Sequence, residues 1–404
     1  MRIIHTADWH LCDWLGRIDR TADLQRRVGR VAELCLENRA DVLVIAGDLF
    51  SEQASVDDMT QALLHIRKAF VPFFAASGTI LAVTGNHDRN GRIDIVRAGM
   101  GLAVPAAGQG GVLSGGRMYL VNTATAVKLV GPDGAPVQFV LLPYPFPSRY
   151  NLSAANYQSK EEETRHLHAA VGNWLARKPT DANFDQTLPT VLVAHVHVRG
   201  GELTTAYRLT DRDDVLFELG ELHPEWRYVA LGHIHKPQTL GGGETVRYCG
   251  SLDRLDFGET HDDHGVLLVD VRGTEPVRPM RLPIPATPFH TITLTNPEAD
   301  LPTLAEKYPD HESAIVRLVV HPPSGDLSRD EVARRVKKLF PRWLSLEWAN
   351  PASLDDTDTP ATFSPRAGFE TTVRDYLTAR LANDPDQAAV LALADTFLAA
   401  GGQS

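Results

Sequence analysis

Residues 79–88 of the chain read TILAVTGNHD, an apolar run that ends in a glycine followed by Asn86, His87 and Asp88. Near-continuous β-branched runs of this kind are typical of strands that are buried on both faces. The same event recurs elsewhere: an apolar run ends, and a side chain that can bind a metal follows it. The other segments are RIIHTADWH (residues 2–10), DVLVIAGD (41–48), TVLVAH (190–195) and YVALGHIH (228–235). The pattern predicts an α/β fold whose strands end at a common site.

The side chains at these strand ends offer carboxylates, imidazoles and an amide oxygen. In an α/β sheet, sites usually lie at the carboxyl ends of the strands, so we expect these side chains to converge. This donor set suits manganese, iron or zinc better than calcium. The donors exceed the needs of one ion, which predicts two ions that share a carboxylate. Two such ions, roughly 3.5–4 Å apart, clamp both oxygens of a phosphoryl displacement, so we expect phosphodiester hydrolysis. The candidate ligands are Asp8, His10, Asp48, Asn86, His195, His233 and His235.

The order of these motifs resembles that of the calcineurin-like metallophosphoesterases. With GSLDRLDFGE (residues 250–259) after the last histidine pair, the order and spacing resemble the SbcD nucleases within that family. These are the bacterial counterparts of the double-strand-break repair nuclease. The resemblance covers residues 1 to about 265. It implies a calcineurin-like α/β fold, a two-layer β-sandwich flanked by helices (αββα), with a small α+β capping domain and a C-terminal helical segment.

The resemblance also implies roles for individual residues. His87 would face the scissile phosphate and stabilise the transition state or protonate the departing oxygen. Asp88 would orient His87. Where the family usually has a histidine, this chain has Ser51, which leaves metal binding intact but puts the rate, or the balance of exonuclease and endonuclease activity, in question. The cofactors would be two Mn2+ ions, with other divalent ions as alternatives: one held by Asp8, His10, Asp48 and His235, the other by Asp48, Asn86, His195 and His233.

The net charge of the chain is only weak evidence against nucleic-acid binding. The chain has 40 Lys and Arg against 51 Asp and Glu, a formal net charge of −11, and phosphate binding draws on basic residues. A local basic strip suffices for a duplex, however. The candidates for DNA contact are Arg17, Arg89 and Arg92, which lie close in sequence to the metal motifs; solvated helix faces are the alternative.

Composition bounds the class of protein. A chain of 404 residues with 43% hydrophobic content suits two globular domains. It has neither an apolar run of the roughly 18 residues that a membrane span needs nor a secretory signal pattern. The three cysteines, Cys12, Cys35 and Cys249, form no metal-like pair, so a reducing cytoplasm is expected, with nucleoid association when the protein is on DNA.

Periodicity predicts the organisation along the chain. Residues 20–39, 55–70 and 159–177 are predicted helices, and residues 104–142 a meander in the second sheet. Residues 93–102 correspond to the homodimer contact of the family, although core packing would explain their apolar positions equally well. The expected divisions are a nuclease domain (1–275), a Pro-rich linker (276–288), a capping domain (289–349), a linker (350–365) and a C-terminal helical segment (366–404).

The resemblance implies a DNA nuclease, both a double-strand exonuclease and a single-strand or hairpin endonuclease. It would act in DNA repair, recombination and replication, with an SbcC-like coiled-coil ATPase bound through the C-terminal helical segment. Packing of that segment against its own domain is the alternative. Two other functions remain open: another metallophosphoesterase, such as a nucleotide phosphodiesterase or phosphatase, and a non-catalytic scaffold subunit.

Overall fold

The computed structural model describes residues 1–88, 90–102, 112–150, 152, 157–203, 214–223, 225–349, 374, 377–378, 381 and 387–401. Arg89 and the predicted linker 350–365 lie outside these residues. The chain forms two compact units, Met1–Glu347 and Trp348–Ser404. The first unit holds the predicted nuclease domain and nearly all of the predicted capping domain. The boundaries between those domains stay predictions.

Short strands connected by helices and loops build the first unit. In chain order the strands are β1 Arg2–Thr6, β2 Trp14–Leu15, β3 Ile18–Asp19, β4 Val42–Ala46, β5 Thr79–Val83, β6 Met118–Val121, β7 Thr125–Val130, β8 Pro136–Leu142, β9 Thr190–His195, β10 His197–Val198, β11 Leu216–Phe217, β12 Tyr228–Gly232, β13 Gln238–Thr239, β14 Val246–Tyr248, β15 Gly265–Asp270, β16 Met280–Pro283, β17 Phe289–Leu294, β18 Ile315–Val320 and β19 Trp343–Trp348.

The helices occupy the segments where apolar residues recur at helical spacing. Over the residues that the structure describes, no helix is both long and apolar enough to cross a bilayer. In chain order the helices are α1 Thr21–Glu37, α2 Val56–Ala75, α3 Asn90–Leu102, α4 Lys160–Arg177, α5 Pro297–Asp300, α6 Leu304–Lys307, α7 Arg329–Leu339 and α8 Gln387–Gly401.

Two six-stranded sheets form the centre of the first unit. The first has the order β16-β15-β1-β4-β5-β6, and the second the order β13-β14-β12-β9-β8-β7. Strands β1, β4, β5 and β6 run parallel to one another, as do β8, β9, β12 and β14. The strands that precede the candidate ligands are therefore the inner, parallel strands.

The unit has four layers: helices α1 and α2, the first sheet, the second sheet, and helix α4. An apolar core lies between each pair of neighbouring layers. One core lies between the sheets and contains Val44 of β4 and Val193 of β9. A second packs the other face of the first sheet against α1 and α2, where Val28 and Phe70 are buried. The third packs the second sheet against α4. Because neighbouring residues of a strand point to opposite faces, each inner strand must be apolar throughout. The predicted αββα sandwich is confirmed.

Two expectations about the sheets were wrong. Residues 104–142 do not form a meander within the second sheet, because β6 pairs with β5 in the first sheet and only β7 and β8 join the second. The predicted linker 276–288 contains β16, which pairs antiparallel with β15. Prolines are tolerated there because β16 is an edge strand, so a missing N–H costs no ladder bond.

A third sheet, β17-β18-β19, carries α7 and corresponds to the predicted capping domain. It packs on the sandwich through a small apolar cluster that includes Ile18, Phe289 and Ile315. Arg342, just before β19, also forms an ion pair with Asp23 of α1. Of the predicted C-terminal helical segment the structure describes α8 and a few residues before it. Residues 366–373, 375–376, 379–380, 382–386 and 402–404 of that segment lie outside the described residues.

Candidate metal centre

The predicted metal ligands stand at one end of the sandwich, at the carboxyl ends of the inner strands. Asp8 follows β1, Asp48 follows β4 and Asn86 follows β5 in the first sheet. His195 ends β9 and His233 follows β12 in the second. Residues 225 positions apart in sequence thereby meet, since the backbone N–H of His233 donates to Asp8 Oδ1 over 3.0 Å.

The loops that carry these side chains adopt an unusual backbone. Asp8, His10, Asp48 and His233 have φ values of +50°, +43°, +48° and +99°, a region that residues other than glycine rarely occupy. Each such residue costs on the order of 1–3 kcal/mol, and such strain is concentrated at functional sites. The loops are held in register by backbone hydrogen bonds from Asp8 to Gly47 (3.1 Å) and from His10 to Asp48 (3.0 Å).

Glycines next to the ligands allow this close approach. A Cβ on Gly47 would lie 1.9 Å from His195 Nδ1, and one on Gly85 would lie 2.0 Å from Asp48 Oδ1. A Cβ on Gly232 would lie 1.9 Å from the carbonyl oxygen of Ala46. The glycines of the sequence motifs are thus required by packing inside the site, where ligand side chains and loop backbones touch.

One half of the site is formed by Asp8, His10 and His235. Their metal-binding atoms all lie within 4.8 Å of one another, and the three side chains are buried. Asp48 Oδ2 lies 3.6 Å from His10 Nε2. That nitrogen is itself buried and has no hydrogen-bond partner among the described residues, which is costly unless a ligand or ion satisfies it.

The other half is formed by Asp48, Asn86, His195 and His233. His195 Nε2 lies 3.3 Å from Asp48 Oδ2 and 2.9 Å from Asn86 Oδ1. His233 Nδ1 lies 3.1 Å from Asn86 Oδ1 and 3.3 Å from His195 Nε2. Asp48 therefore borders both halves.

In three of the histidines, one ring nitrogen faces a protein acceptor and the other faces the site. His195 Nδ1 lies 2.7 Å from the Ala46 carbonyl oxygen, and His235 Nδ1 lies 3.1 Å from Glu259 Oε1. His233 Nε2 lies 2.6 Å from Asp214 Oδ2. An acceptor on one nitrogen places the proton there and leaves a lone pair on the other. Lone pairs that face one another repel unless a cation lies between them.

The electrostatics of the site favour positive charge. Burial alone lowers the pKa of a histidine. Nevertheless the pKa of His195 is raised to about 9, because Asp48 and Asp8 outweigh its burial. The pKa of His235 is likewise raised to about 9, chiefly through Glu259 and Asp8. Carboxylates that stabilise a protonated imidazole would stabilise a metal cation in the same place.

The two aspartates differ in environment. Burial raises the pKa of Asp8 to about 6. Burial also opposes ionisation of Asp48, but His195 and His10 hold the pKa of Asp48 well below its usual value. Asp48 is thus the carboxylate that stays ionised most readily, as a group bordering two cations would need to be. Together, the donor types, the facing lone pairs and the negative potential fit two borderline divalent cations.

His87 lies at the rim of the cluster, where one of its ring nitrogens comes within 4.8 Å of ligand atoms of His10 and Asp48. Its side chain is 23% exposed, and its Nδ1 lies 3.9 Å from Glu52 Oε2. Its ring centroid lies 5.0 Å from that of His10, and its backbone N–H donates to Asp48 Oδ1 over 2.9 Å. His87 therefore combines solvent access with closeness to the metal ligands.

Asp88 and Ser51 are buried beside the site. The Asp88 carboxylate accepts hydrogen bonds from the backbone N–H groups of Leu49, Phe50 and Gly85, over 3.1, 3.0 and 2.8 Å. It thereby joins the loops that carry Asp48 and Asn86. The predicted role of Asp88 in orienting His87 stays a prediction. The Ser51 hydroxyl lies 3.4 Å from Asp13 Oδ1.

Two of the three arginines predicted to contact DNA, Arg17 and Arg92, make contacts within the protein. The guanidinium of Arg17 lies 3.3 Å from the ring centroid of Trp343 and donates to the Trp343 carbonyl oxygen over 2.8 Å. Arg92 donates to the carbonyl oxygen of Ala54. Arg89 lies outside the described residues. Their contact with DNA stays a prediction.

Sequence reasoning missed Asp214 and gave no role to Glu259. Both are buried acceptors of metal-site histidines, and the Tyr144 hydroxyl donates to Asp214 over 3.0 Å. His197, which also lies near Asp214 (3.5 Å), is buried beside His233. Asp214 does not follow an apolar run, so the sequence pattern gives no reason to select it. Glu259 is the last residue of the motif GSLDRLDFGE, which is the sequence feature that could have identified it.

Comparisons with known proteins agree with this geometry. Residues 1–237, more than half of the chain, match the calcineurin-like phosphoesterase family. Fold and site thus define a metal-dependent hydrolase of the phosphoesterase class. The SbcD component of the nuclease SbcCD from Rhodobacter capsulatus is 30% identical over 292 residues, which span 70% of each chain. Its counterpart in Escherichia coli K12 is 30% identical over 277 residues, which span 67% of this chain and 64% of that protein. The chain belongs to the SbcD family of nuclease subunits.

Among solved structures, a dimetal phosphatase from Danio rerio aligns with a TM-score of 0.38 and 13% sequence identity. The alignment covers 70% of this chain and 98% of that chain.

Proposed function

We propose that this chain is a manganese-dependent DNA nuclease, active as a double-strand exonuclease and as a single-strand or hairpin endonuclease. The observation that carries the proposal is the pair of adjoining donor groups that share Asp48 at one end of the sandwich. Two neighbouring divalent cations that share a carboxylate are a common arrangement in enzymes that hydrolyse phosphodiesters. The similarity to nuclease subunits supports DNA as the substrate.

In this proposal, each half of the site would hold one Mn2+ ion. When bound, the ions would polarise a phosphate oxygen and lower the pKa of a water molecule. Asp8, His10 and His235 would hold one ion; Asn86, His195 and His233 would hold the other; and Asp48 would contribute to both.

His87 would act on the substrate itself. Its half-buried ring at the rim is accessible to a phosphate that enters the site, while its backbone is fixed by Asp48. As an imidazolium it would hydrogen-bond the charge that develops on phosphate, and as a general acid it would donate a proton to the departing oxygen. Glu52 Oε2 lies 3.9 Å from His87 Nδ1.

We further propose that the chain works with an SbcC-like coiled-coil ATPase in the processing of DNA ends, in the cytoplasm and on the nucleoid. The relatives' name describes one component of a two-component nuclease. On α8, Leu393 is 58% exposed and Val390 36% exposed. Apolar side chains exposed on a terminal helix suit a partner that would cover them.

A homodimer is proposed on similar grounds. Within the predicted contact region Ile93 is fully buried, and Val96 and Met100 pack partly against the core. Ile95, however, is 74% exposed on α3, and Val71 on α2 is 54% exposed. Core packing therefore accounts for some of the apolar residues of this region but not for Ile95.

The proposal is tested by comparing duplex DNA with a small chromogenic phosphodiester as substrates, in the presence of Mn2+. Wild-type protein should degrade the duplex. Asp48→Asn should abolish cleavage of both substrates and lower the bound manganese measured by elemental analysis, because both halves lose a ligand. Asp57→Asn, an exposed change on α2, is the control. Cleavage of the chromogenic substrate alone would redirect the assignment to a small-molecule phosphodiesterase, and full cleavage by Asp48→Asn would refute the two-ion site.

A further inference from the structure

A cavity opens at a lateral edge of the sandwich, away from the metal centre. At this edge β15 and β16 of the first sheet lie beside β13 and β14 of the second. The cavity has a volume of about 240 Å³, and its lining includes Thr239, Arg247, Cys249, Leu267 and Arg281. None of the predicted metal ligands lines it.

The register of both sheets turns the two arginines towards the interior. Val246 and Tyr248 pack in the core beneath α4, so Arg247, which lies between them on β14, points to the opposite, inner face. On the other sheet Arg281 is paired with Leu267, whose side chain packs in the core between the sheets. Directly paired residues share a face. Two guanidinium groups therefore occupy inner-face positions at this edge.

Neither arginine has a strong counter-ion. Arg247 forms no ion pair within the described part of the chain, and its Nε is buried there with no hydrogen-bond partner. Arg281 lies 3.3 Å from Asp263, but that carboxylate is 87% exposed, and exposed pairs contribute little. The pKa of His5 is lowered mainly by burial, and the positive charge of Arg247 contributes to this lowering. The charge of Arg247 therefore acts on the interior of the sandwich. Burying cationic groups without a partner is unfavourable.

We propose that this cavity is an anion site that binds a phosphate group, either as free orthophosphate or as the 5′-phosphate of a mononucleotide. Guanidinium groups match phosphate oxygens with paired hydrogen bonds, and the Thr239 hydroxyl adds a donor to the lining. The cavity is smaller than the roughly 300–1,000 Å³ of sites for drug-sized ligands, which suits a ligand of this size. The inference goes beyond the nuclease activity and does not rest on it.

The test uses the full-length protein, stripped of metal with a chelator so that phosphate cannot bind at a metal centre. Orthophosphate and deoxyadenosine monophosphate are titrated by calorimetry at constant ionic strength. Wild-type protein should bind with one-to-one stoichiometry, and Arg247→Gln or Arg281→Gln should weaken binding at least tenfold, because a charge-assisted bond to phosphate is lost. Arg272→Gln, a change at an exposed arginine paired with Asp270, should bind as wild type does.

Thermal unfolding keeps the proposal testable if a variant binds too weakly for calorimetry. In phosphate-free buffer Arg247→Met should unfold no earlier than wild type, because an unpaired buried charge is removed. Added phosphate should raise the melting temperature of wild type but not that of this variant. Tighter binding of the mononucleotide than of phosphate would assign the ligand to nucleotides, and equal binding would assign it to phosphate alone.

Two results would overturn the anion site: no one-to-one binding by wild-type protein, or binding that both arginine variants retain. Nuclease activity of the manganese-loaded Arg247→Gln variant is measured in parallel and should equal that of wild type. If Arg247→Gln loses phosphate binding but still cleaves DNA, the anion site is supported and is distinct from the metal centre. The absence of cleavage in wild-type protein would count against the nuclease proposal alone.

Discussion

Asp214 holds the shortest of the contacts that orient the metal-site histidines. Its Oδ2 lies 2.6 Å from His233 Nε2, while its Oδ1 accepts from the Tyr144 hydroxyl over 3.0 Å. Hydrogen bonds with His197, His233 and Tyr144 lower the pKa of Asp214 strongly, although burial acts in the opposite direction. An ionised carboxylate in this position keeps the proton of His233 on Nε2 and the lone pair on Nδ1.

Asp214→Asn should therefore weaken the binding of one metal ion. An amide can donate to His233 Nε2 and thereby move the ring proton to Nδ1, which faces the site. Loss of such a partner typically costs 10–100-fold in metal affinity. Manganese titration followed by electron paramagnetic resonance should show one weakened ion and one unchanged ion. Asp57→Asn, at an exposed position on α2, is the control, and wild-type affinity in Asp214→Asn would show that the contact does not orient the ligand.

His87→Ala separates a role in proton transfer from a role in metal binding. We expect the rate of cleavage to fall by about 10²–10⁴-fold, the usual contribution of a general acid. The manganese content should stay at the wild-type value, because His87 lies at the rim. His261→Ala, a change at an exposed histidine, is the control. A drop in bound manganese would instead make His87 a ligand, and an unchanged rate would remove it from the reaction.

At the level of the elements, the site depends on contact between the end of β12 and the end of β4. Gly232 lies against the Ala46 carbonyl, at the point where the second sheet approaches the first. A methyl group there would separate the loops that carry Asp48 and His233. Backbone atoms form this contact, so no rotamer change can relieve it.

Gly232→Ala should accordingly destabilise the protein and weaken manganese binding together. Overpacking costs typically about 1–3 kcal/mol, and urea unfolding should show a loss of that size or more. Gly29→Ala provides the matched control, because a Cβ at Gly29 on α1 would meet no atom within 4 Å. That change should stabilise the protein by up to about 1 kcal/mol, as alanine favours a helix interior over glycine. Equal effects of the two changes would contradict the packing argument.

Local sequence patterns predict individual helices, but they do not predict which strands pair with one another. Helix α7 begins at Arg329 and ends at Leu339, and both its apolar spacing and its N-cap Ser328 are local signals that the sequence displays. The sheet to which β6 belongs could not be predicted, because its partner β5 is chosen by long-range pairing. Strand β16 was missed for the same reason: its prolines suggest a linker, and only its pairing with β15 makes it a strand.

The same limit applies to the site. Each predicted ligand follows an apolar run, so its strand-end position can be read from the sequence. Asp214 follows no such run, and it reaches His233 only through the tertiary fold. Three close approaches in the site depend on glycine, at Gly47, Gly85 and Gly232. The sequence shows these glycines, but it does not show which atoms they approach.

For the molecule as a whole, stability should depend on pH through His5. This residue is fully buried between the sheets, and its pKa is lowered from 6.5 to about 3, mainly by burial. Its neighbours are Tyr228, 2.9 Å from Nδ1, and the Leu231 carbonyl. The folded protein therefore keeps His5 neutral at a pH at which the unfolded chain binds a proton.

Because the unfolded chain binds this proton more readily than the folded protein, the stability of the fold decreases as the pH falls. The stability that depends on neutral His5 is fully present above pH 6.5 and is lost as the pH falls towards 3. At pH 5 this loss amounts to about 2 kcal/mol. His5→Gln should lose less stability between pH 7 and pH 5 than wild type does, as measured by urea unfolding at both values. Parallel losses in the two proteins would mean that His5 is not kept neutral.

Assembly is the last property that the exposed surface predicts. Ile95 is 74% exposed on α3, and Leu64 and Val71 are 51% and 54% exposed on α2. Exposed apolar patches often mark interaction sites. If a second copy covers Ile95, Ile95→Glu buries a charge at the interface and should convert a dimer to a monomer in light scattering, with an unchanged circular dichroism spectrum. Val130→Glu, at a site 54% exposed on the edge strand β7, should leave the dimer intact. A wild-type monomer at micromolar concentration would end the homodimer proposal, whereas a dimer that survives Ile95→Glu would move the interface away from α3.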